Sequence, residues 1–165
     1  MMIIAQEAIN LLKARGLTVC TCESLTGGMI CAALVDVPGA SKVVRGGLIT
    51  YQTDVKSLLA GVDAALIERH GVVSAEVAKA MAEGARVRLG ADIALSATGM
   101  ASPGEPHEPP AGTVFVGIAS AKGVRAIPLT LTGTRQDIRQ KTVEAALTAL
   151  SAAPPTLNSE FRIKN

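Results

Sequence analysis

The chain has 165 residues and a formal net charge of +2, with 48% hydrophobic and only 2% aromatic residues. A length of this order specifies one domain able to bury about 70% of its unfolded surface, and the composition is that of a globular chain rather than a disordered one. So few aromatic rings leave no platform for base stacking and the evenly spread charge leaves no basic stripe, so nucleic acid is not an expected partner.

The first segment carries Ile4, Ala8, Leu11 and Leu12 at helical spacing, with Lys13 and Arg15 near its end and Gly16 as the stop. Leu17-Thr18-Val19-Cys20 then reads as a buried strand, and Met29 to Val35 as an apolar helix ending before Pro38-Gly39. Gly46 to Tyr51 predicts a second strand, after which Thr53 or Asp54 is placed to cap a helix through Val55, Lys56, Leu58 and Leu59. Ser74 is placed to cap a helix with Val77, Ala78, Met81, Ala82 and Ala85 on one face, and Asp92 to Thr98 predicts a strand closed by Gly99. The stretch 102–110 holds four prolines with Glu105, His107 and Glu108, the composition of a binding or gating loop. Gly112–Ala121 and Val124–Leu131 predict a hairpin turning at Lys122-Gly123. Thr134 and Asp137 form a capping box for a last helix through Val143, Ala146, Leu147 and Leu150, which Pro154-Pro155 ends. Helices alternating with strands predict a three-layer α/β/α sandwich with a mixed, mostly parallel sheet over residues 1–153, followed by a polar tail at 154–165.

Cys20, Cys22 and Cys31 are odd in number and lie in apolar segments, which suits a reducing cytoplasm and a core role, and no second cysteine pair or histidine cluster completes a metal site. No apolar run approaches the ~20 residues of a membrane span, so neither a membrane nor a metal is expected.

Chemistry is expected where strands give way to loops, around Ser24, Tyr51, Thr98 and the proline loop. Ser24 stands between the first strand and Gly27-Gly28, whose N–H groups at a helix start suit a phosphate or a developing oxyanion. Taken alone, this short motif reads first as Ser24 or Thr26 capping the helix while the glycines turn the chain. A serine nucleophile needs a base. His70 precedes Gly71 at a helix end, where it reads as a cap, and His107 lies in the proline loop. Lys56 falls in the first turn of its helix, where the positive dipole end favours a neutral amine; the alternative is an ordinary surface lysine. Arg135 and Arg139 on the last helix offer phosphate-matching guanidinium forks, at least one of the two being expected simply to face solvent.

C-E-S-L-T-G-G at 22–28, G-G-L-I-T-Y-Q-T-D-V-K at 46–56 and G-V-V-S-A-E-V-A-K-A-M-A-E-G-A at 71–85 occur in order with A-T-G-M-A-S-P-G at 97–104, P-A-G-T-V at 110–114 and G-T-R-Q-D-I-R at 133–139. Together they resemble the C-terminal domain of the CinA family, the nicotinamide-nucleotide amidohydrolases, over roughly residues 5 to 150. The resemblance implies hydrolysis of the carboxamide of nicotinamide mononucleotide to the acid plus ammonia, by metal-independent acyl transfer without a cofactor. It maps the serine nucleophile onto Ser24, the lysine base onto Lys56, the threonine after the central strand onto Thr98 and the family's arginines onto Arg135 and Arg139. Tyr51 joins the catalytic set as a residue that holds Lys56 or the substrate, and Glu23, Thr26, Gly27, Gly28 and Gly99 join Thr98 as substrate contacts. Backbone N–H groups near Thr26, Gly27 or Thr98 are the implied oxyanion donors. Cys22 stands where the family often has alanine, and Ser102-Pro103-Gly104-Glu105 where it has Gly-Pro-Gly-Gly, a change in the shape of that loop. Larger relatives add an N-terminal domain with nucleotide pyrophosphatase activity, and that second activity is not expected of this chain. The expected partner is a small-molecule nucleotide, bound by a cytoplasmic homo-oligomer. The competing expectation is a non-catalytic module that binds pyridine nucleotides or a partner protein.

Overall fold

A computed structural model describes residues 1–152. The expected polar tail at 154–165 and the Pro154-Pro155 stop lie outside the described residues. The elements run α1 (Met2–Arg15), β1 (Val19–Glu23), α2 (Met29–Val35), β2 (Val44–Ile49), α3 (Thr53–Ala60), α4 (Ala64–His70), α5 (Ala75–Leu89), β3 (Ile93–Gly99), β4 (Thr113–Ser120), β5 (Gly123–Thr130) and α6 (Arg135–Ser151).

Local signals account for most of the boundaries. Gly16 ends α1 in the left-handed region at φ 63°, Ser74 Oγ accepts from Val77 N at 3.2 Å to start α5, and Thr134 and Asp137 form the expected capping box on α6. The first strand starts later than its apolar run suggests, because the Asp92 carboxylate accepts from both Thr18 N and Thr18 Oγ1 at 2.7 Å. A side-chain acceptor there competes with the ladder. Neither Thr53 nor Asp54 caps α3: Gln52 holds the cap position without a side-chain bond, and the helix starts one residue ahead of the expected aspartate. α4 was not expected; Asp63 Oδ1 accepts from Ala65 N at 2.9 Å and caps it.

The five strands lie in the order β2-β1-β3-β4-β5. β1 pairs parallel with β2 and β3, whereas β4 is antiparallel to β3 and β5, so β4 alone opposes the common direction. α1, α2 and α6 cover one face with a core of Ile9, Leu12, Ile30, Leu34, Val143 and Leu147 against Val19, Ile93, Leu95, Val114 and Val116. α3, α4 and α5 cover the other, where Val77, Met81, Ala82 and Ala85 pack on Cys20, Cys22 and Ala94. This is the three-layer sandwich, filled by small aliphatic side chains in place of rings. Its second face relies on close approach: a Cβ at Gly84 would collide with the Ala60 carbonyl, and one at Gly117 with Ser96 Oγ and the Ala78 carbonyl. Alanine and glycine at these crossings bring the helices close enough for dispersion contacts that larger residues would block.

Register decides where the site falls. Glu23 stands opposite Ile49 on one side and Ala97 on the other, so β1 and β2 finish level and β3 runs two residues farther, to Gly99. The segments beginning at Ser24 and Thr50 therefore leave the sheet together beside Thr98 and Gly99, the last two residues of β3, which run on past the end of β1 while still paired with β4. This is the place where open α/β sheets form ligand crevices.

Candidate active site

Thr50 N donates to the Glu23 carbonyl at 2.8 Å and Ser24 N to the Ala97 carbonyl at 2.9 Å, which fixes the three strand ends to one another. From the first turn of α3, Lys56 then reaches inward until its ammonium lies against Ser24: Lys56 Nζ donates to Ser24 Oγ at 3.1 Å, to the Thr50 carbonyl at 2.8 Å and to the Tyr51 carbonyl at 3.3 Å. Lys56 is 1% exposed and Ser24 8%, so Lys56 is no surface lysine. Burial lowers its pKa below that of an ordinary lysine, and the neighbouring Cys22 opposes this more weakly. The sequence pointed to the helix dipole as the cause; desolvation supplies it instead.

Ser24, Leu25, Tyr51, Lys56, Thr98, Gly99 and Arg135 line one cavity of about 300 Å³, joined by Thr53, Val72, Val73, Met100, Ala101, Ser102 and Pro103. Its floor is polar at Ser24 and Lys56, and its walls at Val72, Val73, Met100 and Pro103 are apolar. Arg135 stands at the rim, donating to Tyr51 Oη and Ser102 Oγ, both at 3.1 Å. Thr98 is 1% exposed, and its hydroxyl donates to the Val72 carbonyl at 2.9 Å, tying β3 to the α4–α5 connection.

Several expected contacts lie elsewhere. Glu23 is fully buried, and its carboxylate accepts from Gly28 N at 2.9 Å, Ile30 N at 3.0 Å and Cys31 N at 2.8 Å. It caps α2, so the positive end of that helix already holds a protein carboxylate and offers nothing to a phosphate or an oxyanion. Neither Ser24 nor Thr26 supplies this cap. Gly27 N donates to the Ser24 carbonyl at 3.1 Å, and Thr26, Gly27 and Gly28 are not cavity-lining. Tyr51 meets Lys56 through its carbonyl rather than its phenol, which is turned to Arg135, so its contact with that lysine is made by the backbone alone. Arg139 also leaves the cavity: Nε donates to the Leu25 carbonyl at 2.9 Å and Nη2 to the Thr26 carbonyl at 3.3 Å, bracing the loop after Ser24 from outside. Neither histidine lines the cavity, and His70 Nδ1 lies 3.9 Å from Glu76 Oε2 at the end of α4.

Sequence reasoning missed Val72, Val73, Thr53, Met100 and Ala101 as walls. The proline loop and its departure from the family's Gly-Pro-Gly-Gly were the advance signals for Ser102 and Pro103; farther along, the loop closes on itself through Glu105 N donating to Glu108 Oε2 at 2.8 Å. Cys20 and Cys22 are buried free thiols, pushed up to about 12 and about 11 by desolvation, and Cys22 Sγ lies 3.5 Å from Thr50 Oγ1. Among the described residues no group of three or more His, Cys, Asp or Glu side chains converges to hold a metal, and no helix is long and apolar enough to cross a membrane.

The model of the CinA C-terminal domain family matches residues 2–153. A putative competence-damage inducible protein of Streptococcus gordonii is 44% identical over 138 residues, covering 83% of this chain and 33% of that protein. A CinA-like protein of Chlorobaculum tepidum is 46% identical over 153 residues, 89% of this chain and 36% of its own length. The chain thus spans about a third of the length of these curated relatives. Among solved structures, a competence/damage inducible protein from Agrobacterium tumefaciens superposes with a TM-score of 0.86 at 36% identity, covering 90% of this chain and 92% of that one. A CinA superfamily protein from Klebsiella pneumoniae gives 0.88 at 28% identity, covering 91% and 94%.

Proposed function

The chain belongs to the CinA C-terminal domain family, and from that membership and the site we propose that it is a serine amidohydrolase acting on the carboxamide of nicotinamide mononucleotide. The observation that carries this reading is the buried contact of Lys56 Nζ with Ser24 Oγ at 3.1 Å. A neutral amine has two hydrogens and one lone pair. The Thr50 and Tyr51 carbonyls take the two hydrogens, which leaves the lone pair for the Ser24 hydroxyl. Burial favours that neutral form, so the same environment that costs stability prepares the base.

In the proposed reaction Lys56 accepts the Ser24 proton as Oγ attacks the carboxamide carbon. The tetrahedral intermediate collapses by breaking the C–N bond, and Lys56 returns the proton to the departing ammonia. Water then attacks the Ser24 ester with Lys56 again as base, releasing nicotinic acid mononucleotide and the free serine. The cavity volume suits a small ligand, its apolar walls suit a flat pyridine ring, and Arg135 at the rim is the group to receive the 5′-phosphate.

Ammonia release from nicotinamide mononucleotide, measured beside thermal stabilisation by the same ligand, tests the proposal. Turnover is expected; stabilisation without any ammonia would instead favour a module that binds pyridine nucleotides and does no chemistry.

A further inference from the structure

An acyl transfer leaves a negative oxygen that needs donors, and the expected donors are largely engaged. Gly27 N is bonded to the Ser24 carbonyl, Gly28, Ile30 and Cys31 N are bonded to the Glu23 carboxylate, and Thr26, whose N–H has no acceptor among the described residues, does not line the cavity. Thr98 is paired with Phe115 within the β3–β4 ladder. The α2 terminus therefore cannot serve, and the donors lie on either side of Ser24 instead.

Leu25 is the first. The Ser24 carbonyl points at Gly27 N, and across a trans peptide the N–H of Leu25 points the opposite way. Among the described residues that N–H has no hydrogen-bond acceptor, although Leu25 is only 4% exposed and lines the cavity beside Ser24.

Gly99 is the second. Along β3, Ala97 turns its carbonyl to Ser24 N, on the β1 side, and Met100 turns its N–H to the Thr113 carbonyl, on the β4 side. Strand alternation places the Gly99 N–H on the β1 side, one ladder step beyond Ala97. Continuing the parallel ladder would pair it with the Ser24 carbonyl, but β1 has ended at Glu23 and that carbonyl serves Gly27. Gly99 is also a cavity-lining residue, and a Cβ there would lie 2.7 Å from Val114 Cγ2 and 2.8 Å from the Thr113 carbonyl, so β4 presses against its other side. Buried or half-buried N–H groups without acceptors are rare in folded proteins, and two of them bordering one nucleophile constitute a site.

We infer that the backbone N–H groups of Leu25 and Gly99 form the oxyanion hole of this enzyme, with the α2 terminus withheld from that role by Glu23. The inference rests on the serine amidohydrolase reading, and its test separates the two. Diisopropyl fluorophosphate would phosphorylate Ser24: the Oγ–P bond forms as P–F breaks, fluoride leaves and the hydroxyl proton passes to Lys56, with the phosphoryl oxygen occupying the oxyanion position. In ¹⁵N-labelled protein, amide correlation spectra before and after modification should show the largest downfield proton shifts at Leu25 and Gly99. Ser24→Ala protein treated in the same way should show neither. An adduct that instead shifts Thr26, Gly27 or Gly28, with Leu25 and Gly99 unmoved, overturns the assignment while leaving the nucleophile in place. If Ser24 takes up no phosphoryl group and nicotinamide mononucleotide is not hydrolysed, the acyl-transfer reading fails and the oxyanion assignment falls with it.

Discussion

Lys56 and Ser24, 32 residues apart in the chain, meet at 3.1 Å with the lysine 1% exposed and no carboxylate among its ion-pair partners in the described residues. A buried ammonium satisfied only by two carbonyls and a hydroxyl is poorly compensated, and that imbalance underlies the first two predictions.

Ser24→Ala should abolish ammonia release and leave the fold intact, because one loop hydroxyl contributes little to a core built from the two faces of the sheet. kcat/KM of the parent should rise with pH through the free-enzyme pKa of Lys56, which lies below the ~10.4 of an unperturbed lysine. Lys56→Arg keeps the charge but cannot deprotonate in this range, so it should be nearly as inactive as Lys56→Ala. An arginine variant with most of its activity intact would show that Lys56 acts only as a fixed charge.

Lys56→Met should stabilise the protein at neutral pH. Because burial lowers the folded pKa, the unfolded chain binds more protons between that value and ~10.4, so the parent gains stability as pH rises through this window and is most penalised below it. Each unit of depression corresponds to about 1.4 kcal/mol. Urea unfolding at several pH values should therefore find the advantage of methionine greatest near neutrality and shrinking above the folded pKa. A pH-independent difference would remove the electrostatic explanation.

Arg135 and Arg139 should separate by ligand. Arg135→Ala should weaken binding of nicotinamide mononucleotide by roughly ten-fold or more, in line with ~1.5–3 kcal/mol for a charged hydrogen bond, and hardly affect the phosphate-free nucleoside. Arg139→Ala releases the Leu25 and Thr26 carbonyls and should lower turnover of both ligands alike. Calorimetric titration of each variant with the nucleotide and the nucleoside makes the comparison; equal losses for both ligands in Arg135→Ala would mean that this arginine does not read phosphate.

Glu23→Gln keeps the shape of the α2 cap but replaces a charged acceptor with an amide that also presents an NH₂ to crowded N–H groups. A loss of about 1–3 kcal/mol in unfolding free energy is expected, with the nucleotide KM little altered. A large rise in KM at unchanged stability would return Glu23 to the substrate side of the site.

The sequence by itself determined the order of nearly all elements, because the signals that start and stop them are local: Gly16 in the left-handed region, Ser74 on Val77 N, Thr134 with Asp137. It also determined that Ser24, Tyr51, Thr98 and the start of the proline loop would meet, since parallel strands deliver their carboxyl ends to one edge. Only the tertiary structure decided what each of these side chains does there. Glu23 and Ser24 are neighbours, yet strand alternation and the turn that follows send one beneath α2 and leave the other at the cavity. Arg135 and Arg139 share a helix face but are offset by one turn, about 6 Å along the axis, so one reaches the rim and the other the loop behind it. Lys56 is marked in the sequence as a candidate base only by its place in the first turn of a helix and by the family motif, with an ordinary surface lysine as the alternative. Its burial, and with it its chemistry, exists only once α3 is folded down onto the ends of β1 and β2.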